Sequence, residues 1–186
     1  MPSAPTDAPA WLSEDQQRSW SSVAALLMTL PGALDAQLRA DAGLNLFEYH
    51  VLAALADAPG RTLGMSDLAA LSQGSLSRLS HAVGRLERSG LVERRSCSDG
   101  RRRMEARLTE PGWEKLVAAA PGHVAEVRRL VVDALDDDRL RDLGAAAEVV
   151  VRTIDPSLAC GERVRGCGPL PSPEGEGAEG SAQQGR

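Results

Sequence analysis

The chain has 186 residues and a formal net charge of −5, and 42% of its residues are apolar, which is enough for one folded domain with tails. Only 3% are aromatic, so the core has to be built from Leu, Val and Ala, a composition that favours helices. No run reaches the roughly 18 apolar residues of a membrane span, and the N-terminus lacks the basic start and apolar centre of a secretory signal, so we expect no membrane partner.

The N-terminal part of the chain predicts a disordered segment followed by a long helix. Residues 1–10 are rich in Pro and Ala and should be disordered. From Glu14 to Ala42, apolar residues recur every three or four positions, which is the spacing of one helix face. These positions are Trp20, Val23, Leu27, Leu30, Leu34 and Leu38. Pro31-Gly32 lies in the middle and should kink or split the helix.

Two shorter helices are predicted next. The first fits Leu46 to Asp57, with Phe47, Val51 and Leu55 facing inward. The APGRT stretch that follows indicates a turn. The second helix fits Ser66 to Leu71.

A fourth helix combines a buried stripe with a polar face. Ser75 is suited to cap its N-terminus and Gly90 to end it. The buried stripe should consist of Leu76, Leu79, Val83 and Leu86, and the opposite face of Ser77, Arg78, Ser80, His81, Arg85 and Arg88. The Asp-Gly pair at residues 99–100, between two β-capable runs, then predicts a β-hairpin.

The rest of the chain predicts two more helices and a tail. One helix fits Glu110 to Leu135, with an interruption at Pro121-Gly122, and the other fits Asp137 to Ile154. Their inward positions should be Trp113, Leu116, Val117, Val124, Val127 and Val131, then Leu140, Leu143, Ala147, Val150 and Ile154. Residues 156–186 contain four Pro and seven Gly among 31 residues, so we expect a disordered tail.

Positive charge is concentrated between Ser75 and Arg107, although the chain is acidic. Nine Arg and four acidic residues give that window a charge of +5, so the remainder carries −10. Two helices joined by a tight turn can place the second in a DNA major groove, and a basic hairpin tip can reach a neighbouring minor groove. The window therefore predicts a DNA-binding surface. From the helix and the hairpin tip we assign to it Ser77, Arg78, Ser80, His81, Arg85, Arg101, Arg102 and Arg103.

Four stretches of the sequence also carry a resemblance to a known family. They are AGLNLFEYHVLAALADAPG (42–60), MSDLAALSQGSLSRLSHAVGRLERSGLVERR (65–95), DGR (99–101) and LTEPGWEKL (108–116). From about Trp11 to Ile154 the chain resembles the MarR family of winged-helix bacterial transcription regulators. The resemblance implies a mainly α fold with a small β-hairpin wing, and a homodimer that binds a palindromic operator. In that family, a small and frequently phenolic ligand often releases the DNA.

The resemblance assigns roles to individual residues. Ser75 to Arg85 would form the recognition helix, and Asp99 would orient Arg101 toward the minor groove. Two positions depart from the family pattern: His81 stands where Arg is frequent, and Gly84 where Asp is frequent. Gly84 costs about 1 kcal/mol relative to Ala inside a helix, or it allows a close approach to DNA.

These features divide the chain into a disordered N-terminus (1–10), a winged-helix domain (11–155) and a disordered tail (156–186). Within the domain, residues of about 44–110 would form the DNA-binding lobe. The helices at about 14–42 and 110–154 carry apolar stripes that one small domain does not fully cover. We therefore predict that these N- and C-terminal helices pair two subunits.

An effector pocket is implied by the resemblance, between the dimer helices and the DNA-binding lobe. Its lining would be Trp20, Val23, Leu27, Phe47, His50, Val51 and Val124. His50 is the best polar candidate for a ligand contact, although a hydrogen-bonded core histidine is the favoured interpretation. Trp20 and Phe47 are likewise more typical of plain core packing.

Among the three cysteines, Cys97 alone suggests further chemistry. Cys97 follows Arg94 and Arg95, which would lower the pKa of its thiol and makes a redox sensor conceivable. Cys160 and Cys167 lie in the tail without a nearby His, so we expect free thiols in a reducing cytoplasm, and no metal or cofactor. The chain has no phosphate loop and no nucleophile elbow, which argues against an enzyme.

The sequence therefore predicts a DNA-binding transcription regulator, in the form of a homodimeric repressor released from its operator by a small aromatic or apolar ligand. One alternative is a winged-helix module for protein–protein contact. The other is a regulator that responds to oxidation of Cys97.

Overall fold

Side-chain caps set where four of the helices begin. Asn45, Ser75, Thr109 and Asp136 each accept a hydrogen bond from the backbone amide three residues further on. Such caps satisfy amides that the first turn of a helix leaves unpaired. Glu48 completes a capping box at Asn45, because its carboxylate accepts from the Asn45 amide at 2.9 Å. The N-cap role predicted for Ser75 is thus confirmed.

The computed structural model describes residues 10–72, 74–96 and 104–155. In chain order its helices and strands are α1 (Glu14–Ala42), α2 (Leu46–Ala56), β1 (Thr62–Gly64), α3 (Met65–Leu71), α4 (Leu76–Arg88), β2 (Val92–Ser96), β3 (Met104–Leu108), α5 (Glu110–Val127) and α6 (Asp137–Ile154). A short 3-10 turn, Pro59–Arg61, precedes β1, and a π-helical segment, Arg128–Val132, follows α5.

The chain forms two compact units, of which the first ends at Ala33 and the second begins at Leu34. The described part of the first unit is the N-terminal portion of α1, where Trp20, Val23 and Leu27 are exposed. The second unit contains the last turns of α1 and every later element. No helix in the described ranges is long and apolar enough to cross a membrane.

A small antiparallel sheet carries the predicted hairpin. Its strand order is β1-β3-β2, with Val92 opposite Leu108 in the hairpin and Thr62 opposite Arg107 at the other edge of β3. The hairpin is confirmed, and so is the turn predicted for APGRT, which forms as the 3-10 turn Pro59–Arg61; β1 follows this turn and was not predicted. Three residues are too few to show the alternation of a strand, and β1 forms because β3 offers a free edge to its backbone.

The core of the second unit lies between α2, α4, the sheet and α5. Among its fully buried members are Leu38, Val51, Leu52, Leu79, Val83 and Leu116. Gly112 lets α5 approach the start of the hairpin, since a Cβ there would lie 2.1 Å from the Leu91 carbonyl oxygen. The last turns of α1 reach α5 at Gly122, whose Cβ position is 3.2 Å from the carboxylate of Asp41.

Neither proline splits its helix, although the sequence allowed a split at Pro31 and predicted an interruption at Pro121. α1 continues through Pro31, and α5 continues through Pro121. A proline removes one helical hydrogen bond, and at these exposed positions water can solvate the freed carbonyl. The helical geometry of α5 changes only later, at the π-helical segment Arg128–Val132.

The burial of several predicted apolar positions also differs. Leu76, the first residue of α4, is 57% exposed, while Leu79, Val83 and Leu86 are buried as predicted. No residue of α6 is buried in the single chain, and its positions 143, 147, 150 and 154 are exposed. Apolar residues therefore line α6, and nothing in residues 10–72, 74–96 and 104–155 buries them.

Candidate nucleic-acid interface

On the exposed side of α4, serine side chains lie between basic side chains. Ser77, Ser80, His81 and Arg88 are all exposed, and Gly84 is half-buried. At 3.6 residues per turn, Ser77, Gly84 and Arg88 fall on nearly the same line of the helix, opposite the buried Leu79 and Leu86. Two of these three residues, Ser77 and Gly84, are small, and they let another surface approach the helix backbone. The Ser75 hydroxyl is used differently, because it accepts the Arg78 amide as the N-cap.

Arg78 lies at one margin of this surface and stacks on an aromatic ring. Its guanidinium carbon is 4.2 Å from the centroid of the Phe47 ring in α2. A cation above an aromatic face is attracted to it and is held in place. Gly74 makes room for the ring, since a Cβ at that position would be 2.5 Å from a Phe47 ring carbon.

Arg85 lies at the same margin and pairs with an acid of α2. Its Nε donates to Oε1 of Glu48 at 2.6 Å. The Glu48 side chain is only 9% exposed, whereas the Arg85 side chain is 48% exposed. Both arginines of α4 on this margin are thus supported by neighbouring residues in the first turn of α2.

Two further arginines of the basic window are neutralised within the fold. Arg94 donates to Glu87 from Nε at 2.8 Å, and its hydrogen bond lowers the pKa of that carboxyl. Arg95 in β2 pairs with Glu93 at 2.6 Å. The excess positive charge therefore belongs to other members of the window, and Arg94 and Arg95 contribute less to an anion-binding surface than a simple count suggests.

Two open clefts lie beside this margin of α4. One, of about 400 Å³, is lined by Asp35, Arg39, Asn45, Phe47, Arg78, His81 and Arg85. The other, of about 530 Å³, shares Arg39, Asn45 and Arg85 with it and includes Glu48 and Lys115. Asp35 is bound by Arg39 at 2.6 Å, and this hydrogen bond lowers the pKa of the Asp35 carboxyl. Basic groups outnumber acids in both clefts.

The predicted tip of the hairpin lies outside the described residues. Asp99, Arg101, Arg102, Arg103 and Cys97 all lie outside the described residues. The strands that lead to them, β2 and β3, follow directly after α4 in the chain.

The seven residues predicted for an effector pocket fall in both compact units. Trp20, Val23 and Leu27 belong to the first unit and are 47–62% exposed. Phe47 and Val51 belong to the core of the second unit, His50 is half-buried there, and Val124 on α5 is 42% exposed.

The half-buried His50 and the buried His123 both lie close to the Tyr49 ring. The ring centroids of Tyr49 and His123 are 4.5 Å apart, and those of Tyr49 and His50 are 6.2 Å apart. Burial lowers the pKa of both histidines, and the charge of His50 lowers that of His123 further. Within the described ranges, Nδ1 of His123 is buried without a hydrogen-bond partner. Sequence reasoning found His50 but missed His123.

Sequence reasoning also missed the support that α2 gives to α4. The pattern Asn45-x-x-Glu48 signals a capping box, which explains one oxygen of Glu48. The other oxygen meets a residue 37 positions away, and no local pattern carries that information. Among the described residues, no three His, Cys, Asp or Glu side chains are grouped so as to hold a metal ion.

Comparisons with known proteins agree with this architecture. The family model described as MarR family matches residues 42–103. Sco3205, a MarR family transcriptional regulator from Streptomyces coelicolor solved in complex with DNA, is 40% identical, with a TM-score of 0.77 over 79% of this chain and 96% of that chain. AbsC, a MarR family transcriptional regulator from the same organism, is 34% identical, with a TM-score of 0.75 over 80% of this chain and 99% of that one. BldR from Sulfolobus solfataricus, at 20% identity and a TM-score of 0.64, shares the fold. A comparison with curated protein sequences gives no match.

Proposed function

Since this chain belongs to the MarR family of winged-helix, DNA-binding transcriptional regulators, which are not enzymes, we propose that it is a homodimeric repressor of a palindromic operator. A small aromatic or apolar ligand would release it from the DNA. The exposed side of α4 is the observation that carries this proposal. The DNA in the Sco3205 structure supports double-stranded DNA as the partner.

The chemistry of α4 suits a major groove. That groove is about 12 Å wide and admits one helix, and each base pair presents a distinct set of donors and acceptors there. Ser77 and Ser80 allow close approach and offer hydroxyls, while His81 and Arg88 offer nitrogen donors beside them. Arg78 and Arg85 reach the DNA from the margin that α2 supports. Asp99 and Arg101 to Arg103 would contact the adjacent minor groove.

The exposed apolar residues of α1 and α6 support pairing of two chains. Trp20 is 55% exposed, Val150 57% and Ile154 78%, and such residues are normally covered in the functional protein. A two-fold dimer would bring two recognition helices about one DNA turn, roughly 34 Å, apart, to match a palindrome.

A ligand that releases the repressor must bind its DNA-free state more tightly than its DNA-bound state. The residues that we propose for it are those predicted from the sequence: Trp20, Val23, Leu27, Phe47, His50, Val51 and Val124. Most of them are apolar, so an aromatic or apolar ligand fits them better than a sugar or a nucleotide would.

The proposal is tested by DNA binding of the full chain at about 150 mM salt, where nonspecific phosphate contacts are already weakened. The probes are the duplex upstream of the protein's own gene and a shuffled duplex. Arg78→Ala should lower the preference for the native duplex about tenfold, because one good base contact contributes 1–3 kcal/mol of discrimination. Arg101→Ala should weaken binding to both duplexes.

Arg141→Ala is the matched control, since Arg141 is an exposed arginine of α6 paired with Asp138. It should leave both affinities unchanged. Equal, weak binding of the wild-type protein to both duplexes, and to every duplex in a random pool, would contradict the proposal and favour a protein–protein module. Binding that peroxide abolishes in the wild type but not in Cys97→Ser would instead favour redox control.

A further inference from the structure

Glu48 uses both of its carboxylate oxygens, and only one of them serves the helix that contains it. One oxygen, Oε2, accepts the Asn45 amide at 2.9 Å and caps α2. The other, Oε1, accepts Nε of Arg85 in α4 at 2.6 Å. The side chain is 9% exposed. A carboxylate in such a place needs partners for its charge, and these two donors supply them.

The cap alone does not require a charge at this position. A capping box works with Gln as well as with Glu, because the amide oxygen of Gln also accepts the N-cap amide. The charge is favourable in the first turn of α2, and Arg85 gives it a second role, because it pairs with that charge across the two helices. The same turn of α2 holds Arg78 through the Phe47 ring, so two arginines of the recognition helix rest on it.

The bond to Glu48 occupies one end of the Arg85 guanidinium. It uses Nε and leaves the two terminal nitrogens for other acceptors, while half of the side chain remains exposed. An arginine fixed at Nε loses less conformational freedom when its planar fork binds a pair of acceptors on DNA. The nearby carboxylate also offsets part of the attraction between Arg85 and any phosphate.

We propose that Glu48 is a positioning residue for DNA recognition, which orients Arg85 so that operator DNA is preferred over random DNA. This inference rests on the function proposed above. It assigns to the charge of Glu48 two effects of opposite sign, tighter binding of the operator and weaker binding of random sequence. A residue that only holds α2 and α4 together would affect both kinds of DNA in the same direction.

The test uses the full-length protein, a duplex that the wild type selects from a random pool, and a shuffled duplex. Glu48→Gln keeps the cap and removes the charge. We expect it to bind the selected duplex about tenfold more weakly and the shuffled duplex as tightly as the wild type or more tightly. Arg85→Ala and the double variant Glu48→Gln/Arg85→Ala complete the cycle. Thermal unfolding shows that each variant is folded.

In the Arg85→Ala background, Glu48→Gln should cause no further loss of preference, because the group that it orients is gone. Glu48→Asp should restore the preference for the selected duplex only if its shorter carboxylate still reaches Nε of Arg85. The melting temperature and the affinity together report whether this contact forms. Three results would each overturn the positioning role. In the first, Glu48→Gln leaves the preference for the selected duplex unchanged. In the others, it lowers the affinity for both duplexes equally, or it lowers the preference by the same factor with and without Arg85. A wild type that selects no duplex at all would overturn the proposed function, and the positioning role with it.

Discussion

At the scale of single residues, His50 and His123 make the stability of the fold depend on pH. His50 and His123 lie close to Tyr49, and burial lowers the pKa of both imidazoles. A lowered pKa means that folding favours the neutral ring, so protonation favours the unfolded chain. The stability due to this effect is complete above the unfolded pKa of about 6.5 and is lost as the pH falls through the lower folded values.

We therefore expect the free energy of unfolding to fall as the pH is lowered from about 6.5, partly because of these histidines. His123→Phe keeps a ring against Tyr49 and removes one titrating group, so its stability should depend less on pH in that range. His50→Gln should also reduce the dependence, both by removing its own titration and by removing the charge that lowers the pKa of His123. Urea unfolding at several pH values measures both effects. If the free energy of unfolding of both variants depends on pH as strongly as that of the wild type, carboxyl groups alone account for the pH dependence.

The residue scale also shows where sequence reasoning stops. His50 follows Phe47 by one turn of the same helix, and its inward position could be predicted from that spacing. His123 comes from α5, and its approach to Tyr49 depends on how α5 packs against α2. Likewise, the pairing of Glu48 with Arg85 depends on the packing of α2 against α4 and not on either helix alone.

At the scale of elements, α4 contains a glycine in its interior that the fold itself does not require. A Cβ at Gly84 would meet only the Nη2 atom of Arg94, at an ordinary 3.6 Å. Gly costs about 1 kcal/mol relative to Ala inside a helix, so Gly84→Ala should stabilise the protein by about that amount. The added methyl group lies on the line of Ser77 and Arg88, and we expect it to weaken operator binding. Urea unfolding and DNA titration measure the two effects.

Gly32→Ala is the matched control for this prediction. Gly32 is also inside a helix, α1, and a Cβ there would meet nothing within 4 Å. It lies on the opposite side of α1 from Trp20 and Val23, so the substitution should stabilise the protein without changing DNA affinity. If Gly84→Ala gains stability and binds DNA as the wild type does, Gly84 is not at the contact surface.

Element boundaries could be predicted where a local signal determines them. The start of α4 at Leu76 follows from the hydroxyl of Ser75, and both strands of the hairpin follow from runs of β-capable residues. β1 could not be predicted, since its partner, β3, lies more than 40 residues away. The exposure of Leu76 shows the same limit, because apolar spacing predicts a shared face but not how far the core extends along it.

At the scale of the whole molecule, the exposed apolar side of α6 is the feature that a single chain leaves unexplained. Val149, Val150 and Ile154 are 57–78% exposed, and no residue of the helix is buried. In proteins, most of the stability of a helix comes from packing of its apolar face, and this face of α6 is exposed. We propose a second copy of the chain as the occupant, because one symmetric contact would cover the same face on both subunits and would match the palindromic operator proposed above.

The dimer is therefore tested by a charge placed on that face. Val150→Asp should reduce the mass measured by light scattering from twice 19.7 kDa to 19.7 kDa, because burying an unpaired carboxylate opposes association. Arg141→Ser on the same helix changes an exposed polar position and should leave the dimer intact. A monomer binds each half of the palindromic operator separately and loses the avidity of two linked contacts. We therefore expect the monomeric variant to bind the operator about a hundredfold more weakly. A variant that stays dimeric would place the subunit contact elsewhere. A monomeric wild type that still binds its operator tightly would mean that one recognition helix and one wing suffice.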